Sequence, residues 1–294
     1  MQPSVITLWI LPLALFIIMF GVGMTLRWHD FTRLLRAPRP VVLGLICQLL
    51  LLPLLAFVLV KLFVLAPVAA VGLMVLAFAP GGATSNMLSL LARGDTALSV
   101  TLTAITSMIT PFTLPVLTLW MLSLWGLSSQ ALAFPVVPSI AKMVAVTLVP
   151  VMLGMFASHR WPGLAQRMRR PVKLMSLVFM LMVVSAIVAA NMERLGDIIR
   201  TAGPLVLLLA CGALLCGYLV ARLAGLQQAQ GITLALETGI QNAGTALMVT
   251  SGLLQNAEMS AVVLMYGVLM QAPALLLVAW RNRDLVGVRV VQSS

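Results

Sequence analysis

One carboxylate stands where a carboxylate is costly. Glu237 sits in the middle of Gly231 to Thr250, GITLALETGIQNAGTALMVT, a stretch otherwise free of charge and long enough to cross a bilayer. An acid there must line a polar cavity, pair with a cation or carry a proton. Gly239, Gln241, Asn242, Gly244 and Thr245 follow it. Glycines and amides at this density weaken a helix and open backbone carbonyls as further ligands. An acid beside opened backbone points to a cation site.

Other oxygen-bearing side chains share this character. Thr84, Ser85 and Asn86 follow Pro80-Gly81-Gly82 at the start of a half-helix, whose free N–H groups and dipole favour an anion. Ser99 and Thr103 are four apart, so their hydroxyls share one helix face. With Glu237 these residues offer hydroxyl, amide and carboxylate oxygens, the hard ligands of an alkali or alkaline-earth cation, without the imidazole or thiolate that zinc or copper prefers. Sodium fits better than a transition metal. Gln48, alone in an apolar run, and Gln241, four after Glu237, could complete a second oxygen site on the other side of the carboxylate.

Each residue has a plainer reading. Membrane Ser and Thr commonly bond a backbone carbonyl or allow close helix packing. Lys142 could neutralise Glu237 as a buried ion pair. Asp95 reads as an N-cap, and Gln271 either faces the cavity or hydrogen-bonds a neighbouring helix. Cys47, Cys211 and Cys216 lie in apolar runs without metal-ligand spacing and read as packing residues. The methionines read the same way, and His29 and His159 fall in loops without visible chemistry.

The elements that position these groups are membrane helices. Of 294 residues, 62% are hydrophobic and 9% charged, with a mean hydropathy of +1.11, which defines a polytopic membrane protein in contact with a lipid bilayer. The net charge of +11 is spread between apolar runs without interleaved aromatics, which argues against nucleic acid as a partner. The spacing predicts helices over Val5 to Leu26, Pro40 to Val60, a broken crossing from Leu62 to Ala92, and two helices in Thr96 to Ser158 divided at Gly126 to Gln130. Leu174 to Met192, Thr201 to Ala221, the Glu237 segment and Ala261 to Trp280 follow. Val5 to Leu26 is too long and wrongly flanked for a cleaved signal peptide.

Charge asymmetry sets the topology. With nine helices, Arg27 to Arg39, Arg93, Arg160 to Lys173, Arg222 and Arg281 to Arg289 share the cytoplasmic side, leaving Lys61, Arg194 and Arg200 outside. The N-terminus is then outside and the C-terminus cytoplasmic, in a plasma (inner) membrane. Helices one to four and six to nine each carry an interrupted helix in third place, running in opposite directions. Inverted halves with matched broken helices point to a transporter's binding site. The whole chain, 1–294, reads as one all-α membrane domain: a first repeat at 5–124, a second at 134–280 and a tail at 281–294.

Two stretches, PGGATSNMLSLLARGDTALSVTLTAITSMITP at Pro80 to Pro111 and ETGIQNAGTA at Glu237 to Ala246, resemble the bile acid:sodium symporter family. The likeness extends over nearly the whole chain, including FGVGMTL at Phe20 to Leu26 and the Gln48 to Pro53 segment. It implies a ten-helix inverted-repeat fold from which this chain lacks the first helix, divided into a core with crossed broken helices and a panel. It further implies two sodium sites, one of Ser85, Asn86, Ser99, Thr103 and Glu237, the other of Gln48, Glu237 and Gln241 with the carbonyls of Thr238 and Ile240. Thr84, Asn242 and Gln271 would face a small organic anion such as a bile acid, sulfated steroid, pyruvate or pantoate-like acid. Ala83 stands where some relatives have a hydroxyl, and Met270-Gln271 where bacterial relatives can have His-Asn, so the family name does not fix the substrate.

The expected function is therefore sodium-coupled symport of an organic anion by alternating access. Protonation of Glu237 as the coupling event on the same fold is the alternative. A non-transporting membrane sensor or scaffold is a third reading, and no long soluble loop is present to carry its signal. No nucleophile–base pair or metal-ligand cluster suggests an enzyme, and no obligatory protein partner is evident.

Overall fold

In lipid every backbone N–H and C=O must find its partner within the chain, so apolar runs of this length fold as helices. The structure, a computed structural model, describes residues 10–27, 30–32, 37–163 and 195–291 with parts of 166–193, and side chains as far as residue 283. Residues 5–9 of the expected first helix, much of Leu174 to Met192, His29, and the basic residues Arg33, Arg36, Arg169, Arg170, Lys173 and Arg194 lie outside the described residues.

In chain order the helices are α1 Leu11–Gly23, α2 Pro38–Leu62, α3 Pro67–Ala77, α4 Ala83–Leu91, α5 Thr96–Leu124, α6 Ser128–Ala133 and α7 Val136–Arg160. There follow α8 Leu195–Leu223, α9 Gln228–Gly239, α10 Ala243–Leu253, α11 Ala257–Leu269 and α12 Gln271–Val291. Five continuous stretches among the described residues are long and apolar enough to cross a bilayer: α2, α5, α7, Ile199–Leu223 of α8, and Ala257–Arg283, which joins α11 to α12. At about 1.5 Å per residue, 25 residues span more than the roughly 30 Å of hydrocarbon. The expected boundary at Gly126 to Gln130 holds, and the short α6 lies across it. The expected helix at Ala261 starts earlier, at Ala257, where Asn256 Oδ1 accepts the Met259 N–H at 3.0 Å and caps the helix.

Burial sorts the helices. Every residue of α3 from Ala69 to Ala77 is buried, as is every residue of α9 from Gly231 to Gly239. A helix enclosed on all sides belongs to the interior. Exposed Leu50 and Leu54 on α2, Trp120 on α5, Leu215 on α8 and Leu276 on α12 give these helices lipid-compatible faces. Glycines let the interior elements close in. A Cβ on Gly72 of α3 would fall 2.9 Å from Met259 Cα of α11, and one on Gly217 of α8 would fall 2.6 Å from the Leu234 carbonyl of α9. At the α1–α7 contact, a Cβ on Gly23 would run into the Val151 carbonyl, and one on Gly154 into that of Phe20.

The two interrupted helices meet at their interruptions. Between α3 and α4, Pro80 has no N–H to continue the ladder, and Gly82 is extended at φ −120°, ψ 171°. Between α9 and α10 the chain leaves the helix at Ile240, φ −109°, ψ 100°. Asn242 then restarts it by accepting the Thr245 N–H on its side chain at 3.1 Å. Gly81 and Gln241 form an antiparallel bridge, and the Asn242 N–H donates to the Pro80 carbonyl at 2.8 Å. Each break satisfies backbone groups that the other leaves open. Among the described residues there is no β-strand beyond this single bridge.

Candidate functional site at the helix crossing

Glu237 lies in the last, fully buried turn of α9 and is 1% exposed. Its Oε1 accepts from Ser99 Oγ at 2.5 Å and its Oε2 from Thr103 Oγ1 at 3.1 Å. Both hydroxyls also lie within reach of Asn86 Oδ1, at 2.7 Å from Ser99 and 3.2 Å from Thr103. Three acceptor oxygens therefore compete for two hydroxyl protons, because a hydroxyl donates once. Among the described residues no Lys, Arg or His bonds the carboxylate. Lys142, half-buried on α7, is not a partner of Glu237, which removes the plainer ion-pair reading.

The remaining hydroxyls of α5 are a control for this pattern. Thr106, Thr110 and Thr118 are buried too, but each bonds the carbonyl four residues back on its own helix, at 2.9, 2.8 and 2.7 Å. That back-bonding is the usual habit of a membrane hydroxyl. Ser99 and Thr103 instead turn to side chains on α4 and α9. Asp95 caps α5 as expected, accepting the Leu98 N–H at 3.0 Å.

A second cluster lies on the other side of the carboxylate. Gln48 is buried on a π-helical turn of α2, Cys47–Leu51, and neither of its amide atoms has a hydrogen-bond partner among the described residues. π-turns frequently mark functional positions because they re-aim a side chain. Gln241 Nε2 donates to the Thr238 carbonyl at 2.9 Å and to that of Glu237 at 3.2 Å, while its Oε1 is unpartnered. Gly81 marks where the two clusters face each other. A Cβ there would fall 2.6 Å from Glu237 Oε2, 2.7 Å from Gln48 Nε2 and 3.5 Å from Thr103 Oγ1. Glycine keeps this concavity open.

The other expected residues divide. Ser85 is buried at the start of α4, where its hydroxyl donates to the Gly82 carbonyl at 2.7 Å and also lies within hydrogen-bond reach of Glu237, so one proton is shared between two acceptors and its oxygen lone pairs remain for a ligand. Ile240 lies in the open stretch and gives its N–H to the Leu236 carbonyl at 2.9 Å. Thr84 is half-buried in the first turn of α4, and Asn242 is buried at the crossing. Gln271 Nε2 bonds the Gly267 carbonyl of the preceding turn at 3.3 Å instead of a neighbouring helix. That turn rests on the start of α10, since a Cβ on Gly267 would fall 2.9 Å from Ala243 Cβ.

Residues 12–198 match the sodium bile acid symporter family. The chain belongs to that family. It is 32% identical over 247 residues to an uncharacterized sodium-dependent transporter of Bacillus subtilis (strain 168), covering 82% of this chain and 74% of the relative. It is 30% identical to the ileal sodium/bile acid cotransporter of Cricetulus griseus, over 81% of this chain and 68% of the relative. To a probable chloroplastic sodium/metabolite cotransporter of Arabidopsis thaliana it is 31% identical, over 82% and 60%. The family's members are cotransporters, not enzymes.

One residue of the symporter's crossing escaped the sequence reading. Tyr266 of α11 is wholly buried and its hydroxyl donates to the Gly239 carbonyl at 3.1 Å, holding the end of α9 beside the break. The signal available was weak: a tyrosine in an apolar helix must find a partner for its hydroxyl, but nothing in the sequence says which.

Proposed function

We propose that the chain is a secondary active transporter that couples entry of sodium to uptake of a small organic anion by alternating access. The observation that carries this reading is the proton deficit around Glu237: four acceptor oxygens, counting the Gly82 carbonyl, three hydroxyl protons and, among the described residues, no cationic side chain. A sodium ion among Glu237, Asn86, Ser99, Thr103 and Ser85 would supply the missing positive charge through hard oxygen ligands. The unpartnered amides of Gln48 and Gln241, with the Thr238 and Ile240 carbonyls, support a second sodium position sharing the carboxylate.

The anion would lie at the crossing, against the N-terminal ends of α4 and α10, near Thr84, Asn242 and Gln271. The five long helices, the two broken ones, α1 and the 174–192 segment make the proposed nine, with 5–124 and 134–280 as inverted repeats and 281–294 as a cytoplasmic tail. α1, α7 and 174–192 would form a panel against a core of the rest, in a plasma membrane with the N-terminus outside. Two sodium ions moving with a monovalent anion carry net positive charge inward, and an inside-negative potential would add about 2.3 kcal/mol per charge per 100 mV.

The same deficit supports a second reading, since a proton on Glu237 would also supply the missing donor. Proteoliposomes offered labelled taurocholate, pyruvate and pantoate under a sodium, potassium or pH gradient separate the two. Symport with sodium predicts accumulation of at least one anion that requires sodium and quickens with an inside-negative potential. Accumulation driven by pH alone, and abolished by Glu237→Gln, would replace sodium with a proton. Uptake indifferent to sodium, pH and potential would refute both.

A further inference from the structure

Three helices carry hydroxyls in register below the carboxylate, all leading to the membrane face that bears Arg93. On α9, Thr233 lies one turn before Glu237. On the α5 side, the Asp95 cap lies one turn before Ser99, itself one turn before Thr103. On α4, Ser89 is three residues after Asn86 and four after Ser85, so it continues their face. Asn86 fixes that face toward α5 through Ser99 and Thr103.

The lower rungs touch one another. Thr233 Oγ1 donates to the Asp95 carbonyl at 3.1 Å, and the Asp95 N–H donates to the Ala229 carbonyl at 3.1 Å. A Cβ on Gly94 would fall 2.7 Å from Thr233 Oγ1 and 3.1 Å from the Ser89 carbonyl, so these groups converge on one glycine. The Ser89 carbonyl accepts the Gly94 N–H at 2.7 Å. Its hydroxyl is different: Ser89 is 0% exposed and its Oγ has no partner among the described residues, where a membrane hydroxyl usually bonds a carbonyl of its own helix. A buried hydroxyl left unbonded carries a desolvation cost, which an ion passing it would relieve.

We propose that Ser89 Oγ, Thr233 Oγ1 and the Asp95 carbonyl form the path by which sodium exchanges between Glu237 and water at the Arg93 face of the membrane. The inference rests on the sodium reading of Glu237. Thr233 needs only to rotate its hydroxyl away from the Asp95 carbonyl for two oxygens to face the ion, with Ser89 as the third. Each rung is one helical turn, about 5 Å, from the next, so an ion can be handed between rungs without leaving oxygen contact. Asp95 Oδ1 remains engaged with the Leu98 N–H throughout.

Path residues and site residues give different signatures. Removing a ligand from a path raises the barrier in both directions, leaving equilibrium binding untouched. Removing a ligand from the site changes the equilibrium. The test is Ser89→Ala, Thr233→Val and their combination in purified, reconstituted full-length chain, with sodium as the probe. Thermal stability titrated with sodium against potassium gives the equilibrium midpoint, and 22Na exchange into sodium-loaded proteoliposomes, with whichever of taurocholate, pyruvate or pantoate is taken up held at equal concentration on both sides, gives the rate.

The expected result is a fall in exchange of about tenfold in the double variant, the scale set by an unmade polar contact, with the sodium midpoint within about twofold of wild type. Thr233→Ser should restore exchange. Should the double variant not fold, Ser89→Ala alone decides the matter. Unchanged exchange, or a midpoint that moves with the rate, overturns the path while leaving the Glu237 site standing. No sodium-specific stabilisation in wild type would overturn the sodium reading and the path with it.

Discussion

Ser99→Ala isolates the group that most directly connects Glu237 to its surroundings. The substitution removes a hydroxyl 2.5 Å from Glu237 Oε1 and 2.7 Å from Asn86 Oδ1, with no larger change of volume than one oxygen. A hydrogen bond to a charged group contributes about 1.5–3 kcal/mol. At about 2–4 °C per kcal/mol for a chain of this order of size, the sodium-free protein should melt about 3–12 °C lower. If the hydroxyl is also a sodium ligand, a comparable loss appears in binding, and at about 1.4 kcal/mol per tenfold the sodium midpoint should rise about ten- to a hundredfold. Thr110→Val is the matched control, a buried hydroxyl on the same helix that bonds only the Thr106 carbonyl at 2.8 Å. It lies seven residues beyond Thr103, about 10 Å along the helix, where substitutions add without coupling. It should cost about 1 kcal/mol and leave the sodium midpoint alone. The assay is thermal unfolding in detergent at constant ionic strength, sodium replacing potassium stepwise. Equal sodium midpoints in Ser99→Ala and Thr110→Val would show that the Ser99 hydroxyl is not a sodium ligand.

Three further substitutions probe neighbouring parts of the site in the same titration. Gly81→Ala places a methyl 2.6 Å from Glu237 Oε2 and 2.7 Å from Gln48 Nε2; it should cost about 1–3 kcal/mol as overpacking and abolish the sodium response, and a normal response would show that the concavity is not where the ion sits. Gln48→Met removes two unpartnered buried amide atoms at similar volume. Its sodium-free stability should therefore rise by about 1 kcal/mol or more while the sodium-dependent gain shrinks; a loss of sodium-free stability would show that the amide is already satisfied. Tyr266→Phe leaves the Gly239 carbonyl without its donor and should destabilise by about 1–2 kcal/mol, with the sodium midpoint moved less than about threefold; a larger shift would make the tyrosine part of the ion site.

Much of this site is legible in the sequence because its signals are local or periodic. An acid in a membrane-length run stands out by cost, and a four-residue interval places Ser99 and Thr103 on one face. Pro80, Gly81 and Gly82 announce a break because proline removes a donor and glycine weakens the helix. What pairs across the break is not local. Nothing in the composition says that the Asn242 N–H reaches the Pro80 carbonyl, or that Gly81 bridges Gln241, since each contact joins residues about 160 apart whose backbone groups are chemically like all others. Side-chain direction is equally hidden. Ser85 shares its turn with Asn86, yet one hydroxyl bonds its own backbone while the neighbouring amide reaches across to α5. The π-turn that carries Gln48 inward also leaves no mark in the sequence pattern, because its residues are ordinary helix formers.

The unequal burial of the helices follows from the same distinction. Apolar composition marks every helix as compatible with lipid, but only packing separates α3 and α9, enclosed over Ala69 to Ala77 and Gly231 to Gly239, from α2 and α8, each with a face left outside. The enclosed pair are the two that break and cross, which keeps their open backbone away from hydrocarbon.

Sodium coupling on this site requires that Glu237 bind the ion as a carboxylate. Calorimetric titration of sodium chloride into the purified protein, against potassium chloride at the same ionic strength and in parallel with Glu237→Gln, tests it most directly. A saturable, sodium-specific heat is expected in the wild type and should disappear in the variant, which still folds. The same heat in both proteins would contradict it, because the ion would then be held by something other than the one carboxylate buried at the helix crossing.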